Sequence, residues 1–328
     1  GEEGGIGVSI VVTGGAGFIG SCIVRTLNDN GTGDIIVVDD IASTDKWMNL
    51  RNKTFLEYIH KDDFIHRLET MREITHIIHM GACSDTTERN FDYLYKNNFT
   101  YSKVLWDFCA ERGIPFIYAS SAATYGDGST GFDDEADIAE LRPLNGYGYS
   151  KQLFDLWARE QTVRPPQHVG LKFFNVYGPN EYCKGAMASM IFHGFHQIQH
   201  EGRIKLFKSY RQDYADGGQL RDFVYVKDVC RVIMFFVSHP EVSGLFNVGT
   251  GHAGSFEQLA VSVFSALNLT PRIEYIDMPE NLKEKYQYFT QAKMKKLRDA
   301  GYAEPFLDLT AGARDYVTEH LGKDDKVY

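Results

Sequence analysis

The sequence predicts an α/β fold: a doubly wound parallel sheet covered by helices on both faces, followed by a smaller α/β C-terminal lobe. Two observations predict it. In the first half, short and nearly continuous apolar runs alternate with helical stretches, and strands buried on both faces read that way. Beyond Pro179 the alternation loosens, and Arg203 to Arg221 is polar and rich in Gly, Lys, Arg and Tyr. Val8 to Val12 reads as the first strand and Ala16 to Asn28 as the first helix. Ile35 to Val38, His76 to His79, Phe116 to Ala119 and Val169 to Phe174 continue the strands. Helical stretches lie near Asp62–Glu69, Asp92–Arg112 and Tyr147–Thr162. In the second half, Met187–Gln199, Val229–Val237, Phe256–Leu267 and Thr310–His320 read as helices. Phe223–Val226, Leu245–Val248 and Ile273–Ile276 read as strands. Residues 1–174 form the first domain, with 223–250 returning to it, and 175–328 form the second lobe.

The chain has 328 residues, 43% hydrophobic and 24% charged, enough for a substantial core. A net charge of −10 argues against nucleic acid or an anionic membrane as partner. An anionic small molecule then needs a local basic pocket. The five cysteines (Cys22, Cys83, Cys109, Cys183 and Cys230) are scattered, with no CxxC. Neither a disulfide framework nor a metal site is expected, and a reducing cytoplasm fits. No apolar run reaches the roughly 18 residues of a membrane span. No signal peptide is visible, and residues 1–7 read as a flexible end or a remnant foreign to the fold.

Gly14-Gly-Ala-Gly17-Phe-Ile-Gly20 stands between the first strand and the first helix. Glycines three apart permit a tight turn and close approach of a pyrophosphate, and the helix N-terminus offers free N–H groups. Asp39 closes the second strand, about 20 residues on, where an acid meets a ribose hydroxyl. This is a Rossmann-like site for NAD or NADP. Asp39 with Asp40 would repel a 2′-phosphate and favours NAD, whereas Lys46 and Lys61 would neutralise one and favour NADP.

Tyr147-Gly-Tyr-Ser-Lys151 places a phenol four residues ahead of an ammonium, on one face of a helix. A nearby cation stabilises phenolate and prepares a tyrosine to exchange a proton with an alcohol. Ser120-Ser121-Ala-Ala-Thr124-Tyr125-Gly126 follows a strand, where such sheets bind ligands. Ser121, Tyr147 and Lys151 make a Ser–Tyr–Lys triad.

With the glycine turn, that triad, Phe174-Asn-Val-Tyr-Gly-Pro179 and Arg221-Asp-Phe-Val-Tyr-Val-Lys-Asp228, the chain resembles the extended short-chain dehydrogenase/reductase superfamily. Within it the chain is most similar to the family of ADP-L-glycero-D-manno-heptose 6-epimerases. That likeness is carried by Gly81-Ala-Cys-Ser84, Tyr118-Ala-Ser-Ser-Ala-Ala-Thr-Tyr-Gly126, Lys184-Gly-Ala-Met-Ala-Ser189 and Tyr286-Gln-x-Phe-Thr-Gln-Ala292. The resemblance implies an isomerase of lipopolysaccharide precursor synthesis. Its substrate is ADP-D-glycero-D-manno-heptose, whose C6 alcohol is oxidised by tightly held NADP+. The transient ketone turns and takes the same hydride on its other face.

The resemblance also implies roles for single residues. Tyr147 and Lys184 are acid/base groups, one for each face. Ser121 polarises the C6 oxygen, and Lys151 binds the nicotinamide ribose and depresses the Tyr147 pKa. Phe18 and Ile19 lie at the pyrophosphate, with Gly14, Gly17 and Gly20. Asp39, Asp40 and Lys46 surround the adenosine ribose, with Lys61 nearby. Met80, Gly81, Ala82, Cys83, Ser84 and Asn97 line the nicotinamide half, and Val176 and Lys184 also border the cofactor. Ser121, Asn175, Ala186, His193, Phe207, Arg221 and Tyr286 meet the sugar nucleotide. A homo-oligomer is expected.

Two departures stand out: Asp40 and Ala186 occupy positions where that family carries amide and hydroxyl residues. Lys208 to Leu220 is longer than the family's loop. A UDP-sugar 4-epimerase and a non-catalytic nucleotide-binding scaffold remain alternatives. Ala122-Ala123 after Ser121 argue against a 4,6-dehydratase.

Overall fold

The computed structural model describes residues 9–71 and 73–328. The end segment at 1–7 and the Val8 start of the first strand lie outside these residues. The strands are β1 (Ser9–Thr13), β2 (Ile35–Asp39), β3 (Glu57–His60), β4 (Ile74–His79), β5 (Phe116–Ser121), β6 (His168–Phe173), β7 (Asn175–Tyr177), β8 (Ile204–Phe207), β9 (Leu220–Arg221), β10 (Phe223–Tyr225), β11 (Gly244–Val248), β12 (Gly254–Ser255) and β13 (Ile273–Ile276). The helices are α1 (Phe18–Asp29), α2 (Lys61–Arg67), α3 (Phe91–Tyr95), α4 (Tyr101–Arg112), α5 (Gly146–Glu160), α6 (Met190–Glu201), α7 (Val226–Ser238), α8 (Phe256–Ala266), α9 (Glu280–Lys283), α10 (Lys295–Asp299) and α11 (Leu309–Tyr316).

A seven-stranded sheet runs β11-β6-β5-β4-β1-β2-β3. β1 pairs in parallel with both β2 and β4, so the strand order reverses beside it. Such a reversal opens a crevice at the carboxyl ends of the strands. Every residue of β2 is buried, which is why it reads as an unbroken apolar run. One core packs Val11, Ile36, Val38 and Ile77 against Phe64, Trp106, Phe116 and Phe154. The chain divides into two units: 1–126, 136–172 and 230–246 in one, and 127–135, 173–229 and 247–328 in the other. The expected boundary at 174 therefore shifts slightly. The returning segment shortens to 230–246, and 127–135 joins the second unit.

Within the second unit, β8 pairs with β13 and β7 with β10, both in parallel. Its core gathers Tyr177, Phe195, Leu206, Phe223, Phe264 and Tyr316. Asp222 is fully buried and accepts from Thr250 N (2.7 Å), Gly251 N (3.0 Å) and Ala292 N (2.9 Å), so one carboxylate fixes two loops. Among the described residues no helix is long and apolar enough to cross a membrane, and no cluster of His, Cys, Asp and Glu could hold a metal.

Asp92–Arg112, expected as one helical stretch, is α3, a π-helical turn at Lys96–Thr100, and α4. The turn inserts a residue into the helical ladder, as such turns do near functional sites. It aims the buried Asn98 side chain at the segment after β4. There Asn98 accepts from Cys83 N (2.8 Å) and donates to Cys83 O (3.0 Å).

His79, at the end of β4, bridges Thr13 Oγ1 (2.6 Å) and Ser102 Oγ (2.8 Å). Burial, with the nearby Lys151 ammonium adding to it, holds its pKa down to about 3. The unfolded imidazole protonates near 6.5. The unfolded chain thus binds the extra proton between these values, and stability present above pH 6.5 is lost as pH falls toward 3. At pH 5 the loss is about 2 kcal/mol. Thermal unfolding of His79→Gln followed between pH 7 and 5 should show a correspondingly shallower fall in Tm than the native protein.

Candidate functional site

The glycine turn is shaped by close approach. Gly14 has φ +63°, and a Cβ there would lie 2.8 Å from Gly81 N; a Cβ on Gly20 would lie 2.0 Å from Gly14 O. Only glycine meets both demands. Gly17 caps α1 with extended backbone and no side-chain hydrogen bond, and a helix N-terminus of this kind suits an anion. Phe18 and Ile19 form that turn. Met80 N donates to Thr13 O (3.2 Å) and Gly81 N to Thr13 Oγ1 (3.0 Å), so the segment after β4 lies against the turn after β1. Ala82, Cys83 and Ser84 follow on the same stretch.

Asp39 is buried, and its carboxylate accepts from Ala16 N (2.9 Å), Asp40 N (2.7 Å) and Lys46 Nζ (2.7 Å). Asp40 lies 3.2 Å from His60 Nε2. The glycine cradle, the helix N-terminus and the buried acid fit a dinucleotide. Lys61 Nζ donates to Asn97 Oδ1 (2.7 Å), so these two residues, assigned to different halves of the cofactor, touch each other. The amide that grips the segment after β4 belongs to Asn98, its neighbour.

Asn145 caps α5, accepting from Gly148 N (2.7 Å), and so sets Tyr147 in the first turn. Ser121 ends β5 and accepts from Ala123 N (3.0 Å). Its hydroxyl lies near the Tyr147 phenol and favours the phenolate. The expectation that Lys151 depresses Tyr147 is corrected. Burial raises the phenol above its ordinary value, and the group opposing burial is the Ser121 hydroxyl. The Lys151 ammonium instead donates to the Ala119 carbonyl (2.8 Å). Burial pulls Lys151 down to about 8, against the attraction of Asp155.

Asp155 is a residue that sequence reasoning missed. It accepts from Tyr118 Oη (3.0 Å) and Ser120 Oγ (2.6 Å) and is buried. Burial pushes its carboxyl up, while Lys172 foremost, then the two hydroxyls and Lys151, draw it down. Lys172 is also buried, donates to Thr124 Oγ1 (2.9 Å) and stands over the Tyr125 ring at 4.2 Å. Both signals were present in the sequence. Asp155 is four residues beyond Lys151 on the helix face, and Lys172 is a lone charge in an apolar strand.

The second unit holds the remaining expected residues. Lys184 is half-buried, and burial lowers its pKa while Glu181 opposes the shift. Ala186 is exposed, and its carbonyl lies 3.4 Å from His193 Nε2. Phe207, Arg221 and Tyr286 come together. The guanidinium stands 5.0 Å over the Tyr286 ring and 5.5 Å from the Phe256 ring, and Phe207 meets Tyr286 edge-on at 6.3 Å. Asn175 is exposed at the start of β7, its Oδ1 3.5 Å from Thr290 Oγ1, and Val176 pairs with Val224 in the strand register. The long 208–220 loop is ordered by its own contacts. Ser209 N donates to Asp216 (2.7 Å), and Arg211 pairs with Asp213 and lies 5.1 Å from both the Tyr214 and the Tyr288 ring.

The chain is 52% identical to the ADP-L-glycero-D-manno-heptose-6-epimerase of Nitratidesulfovibrio vulgaris (strain DP4), over 96% of this chain and 98% of the relative. It is 49% identical to the protein of that name from Fusobacterium nucleatum, over 96% and 99%. The crystal structure of the Helicobacter pylori ADP-L-glycero-D-manno-heptose-6-epimerase superposes with TM-score 0.79 at 28% identity, covering 95% of this chain and 96% of that one. The UDP-N-acetylglucosamine 4-epimerase of Methanobrevibacter ruminantium shares the fold, with TM-score 0.78 at 21% identity over 94% and 96%. The sequence profile of the NAD dependent epimerase/dehydratase family matches residues 10–249, and the chain belongs to that family.

Proposed function

We propose that the protein epimerises ADP-D-glycero-D-manno-heptose at C6 to the L-glycero form, with Tyr147 and Lys184 as its two proton-transfer groups. The observation that carries this reading is Lys184. It is a half-buried lysine whose burial favours the neutral amine, in a chain that separately holds the Ser121 hydroxyl near the Tyr147 phenol. A reaction that inverts an alcohol through a ketone needs an acid/base group for each face. The names of near-full-length relatives support the same substrate.

A nicotinamide dinucleotide held by the glycine turn and Asp39 would supply the redox chemistry by accepting and returning hydride. The chain's own residues handle protons and position. Ser121 polarises the C6 oxygen, and loss of such a donor costs roughly 10²-fold. Tyr147 exchanges the hydroxyl proton on one face and Lys184 on the other. Arg221 suits the diphosphate, with Phe207 and Tyr286 packing beside it. Asn175, Ala186 and His193 complete the sugar contacts. Lys151 holds the nicotinamide ribose, with the 80–84 segment lining the same half of the cofactor, and Val176 is a further cofactor contact. We infer NADP as the cofactor, because the Lys46 ammonium at 2.7 Å from Asp39 offsets the charge that would repel a 2′-phosphate. A cytoplasmic homo-oligomer is part of the same proposal.

Incubation with ADP-D-glycero-D-manno-heptose in deuterated water, followed by NMR at C6, should show epimerisation without deuterium at C6. Deuterium uptake there would sink the internal-hydride reading. Tyr147→Phe and Lys184→Met should each keep bound nucleotide yet lose turnover by roughly 10²-fold or more. A fully active Lys184→Met protein would reduce Lys184 to a binding role. Lys46→Ala should weaken NADP(H) retention about tenfold more than NAD(H) retention, measured by competition of the two nucleotides. Equal losses would remove the argument for NADP.

A further inference from the structure

Lys184 sits in a loop, residues 178–189, whose shape is set by a carboxylate with no solvent exposure. Glu181 accepts from Gly178 N (3.2 Å) at the loop's first shoulder. It also accepts from Ser189 N (2.6 Å) and Ser189 Oγ (2.8 Å) at the last. Its backbone carbonyl accepts from Lys184 N (3.1 Å), so the same residue anchors the start of the turn that carries the lysine. Gly185 follows at φ +57°.

The outside of this loop is gripped by a distant piece of chain. Asn180 is buried and has φ +75°. Its side chain donates to Tyr328 O (3.1 Å) and accepts from Tyr328 N (2.9 Å), as a neighbouring strand would. Two residues on, the Tyr182 hydroxyl donates to the Lys326 carbonyl (2.7 Å). The Tyr328 ring is held in turn by Lys227 Nζ at 4.6 Å and by the His320 ring at 5.6 Å. A non-glycine residue at positive φ is uncommon and persists where its surroundings over-determine it. Here two hydrogen bonds to one backbone unit do so.

We propose that residues 326–328 form a strap which, gripped by Asn180 and Tyr182, acts with Glu181 to position Lys184 for proton transfer. The proposal rests on the reading of Lys184 as an acid/base group. Asn180 and Glu181 are positioning residues, since both act through the lysine. A misplacement of about 1 Å can cost up to 10²-fold in rate with binding intact, so the signature is a fall in kcat at constant KM.

Asn180→Gly tests this without unfolding the loop, because glycine accepts the positive φ while removing both bonds to Tyr328. In the native background it should lower kcat about tenfold, with KM and retained nucleotide unchanged. In a Lys184→Met background the same change should leave the residual rate within about twofold. Asn180→Asp, which still accepts from Tyr328 N, should recover part of the rate. An equal loss in both backgrounds, or no loss in the native one while Lys184→Met is inactive, overturns the strap and leaves the function standing. A fully active Lys184→Met protein overturns the strap and the catalytic reading of Lys184 together.

Discussion

Two parallel strands, β1 and β4, must end so close together that no side chain fits between the turns that follow them. A Cβ on Gly14 would meet Gly81 N at 2.8 Å. That constraint reaches well beyond the cofactor turn. Thr13 and His79, the last residues of the two strands, hydrogen-bond each other, and His79 passes the contact to Ser102. Ser102 donates to the Asn98 carbonyl, and the Asn98 amide donates to Ser150 Oγ, which donates to the Tyr147 carbonyl. A continuous chain of hydrogen bonds thus joins the glycine turn to the backbone of the tyrosine. Buried polar groups of this kind are costly when any one lacks a partner. The cradle and Tyr147 are therefore held by one interior network rather than by separate local preferences.

Beneath the tyrosine lies a second constraint. Lys151, Asp155 and Lys172 are all buried. Such a group of charges is held by mutual attraction and by hydrogen bonds to Ala119, Ser120, Tyr118 and Thr124. Removing one partner of a buried pair costs on the order of 3–5 kcal/mol because it strands a charge. Burial alone would drive Lys151 toward neutrality, and Asp155 limits that fall. The helix stripe Tyr147–Lys151–Asp155 is accordingly one unit, and the middle residue gets its properties from the last.

The sequence was readable where one physical rule dominated. β1, β2, β4 and β5 were legible because strands largely buried on both faces carry short apolar runs. β3 was not, because in Glu57–His60 only Ile59 is buried, and one residue makes no pattern. β7, β9 and β12 have two or three residues each, shorter than any periodicity can register. The π-helical turn at Lys96–Thr100 was invisible for the opposite reason: its flanks continue the helical pattern on both sides. The same division holds in the site. Ser121, Tyr147 and the Phe207–Arg221–Tyr286 group come from motifs, and the structure puts members of each in contact. Asn98 and Asp155 matter through partners far along the chain, and Glu181 through bonds inside an irregular loop that shows no periodicity. The bond from Lys151 to the Ala119 carbonyl was not legible, because helical spacing gives the face a side chain shares and not the carbonyl its ammonium reaches.

Lys151 and Lys184, in different units, are governed by the same balance. Each is pulled toward the neutral amine by burial, and each has a buried carboxylate opposing that pull, Asp155 for the first and Glu181 for the second. In both cases the carboxylate's main bonds are to uncharged donors: two hydroxyls for Asp155, and two backbone amides with one hydroxyl for Glu181. An acid committed to such donors cannot collapse onto the lysine as a tight ion pair. It biases the amine from a fixed position instead, and a lysine so biased keeps both protonation states within reach. A lysine in water would stay charged, and one paired directly with a carboxylate would be held charged more firmly still. Partial burial over an acid with other commitments is the arrangement that leaves an ammonium free to give up its proton and take it back.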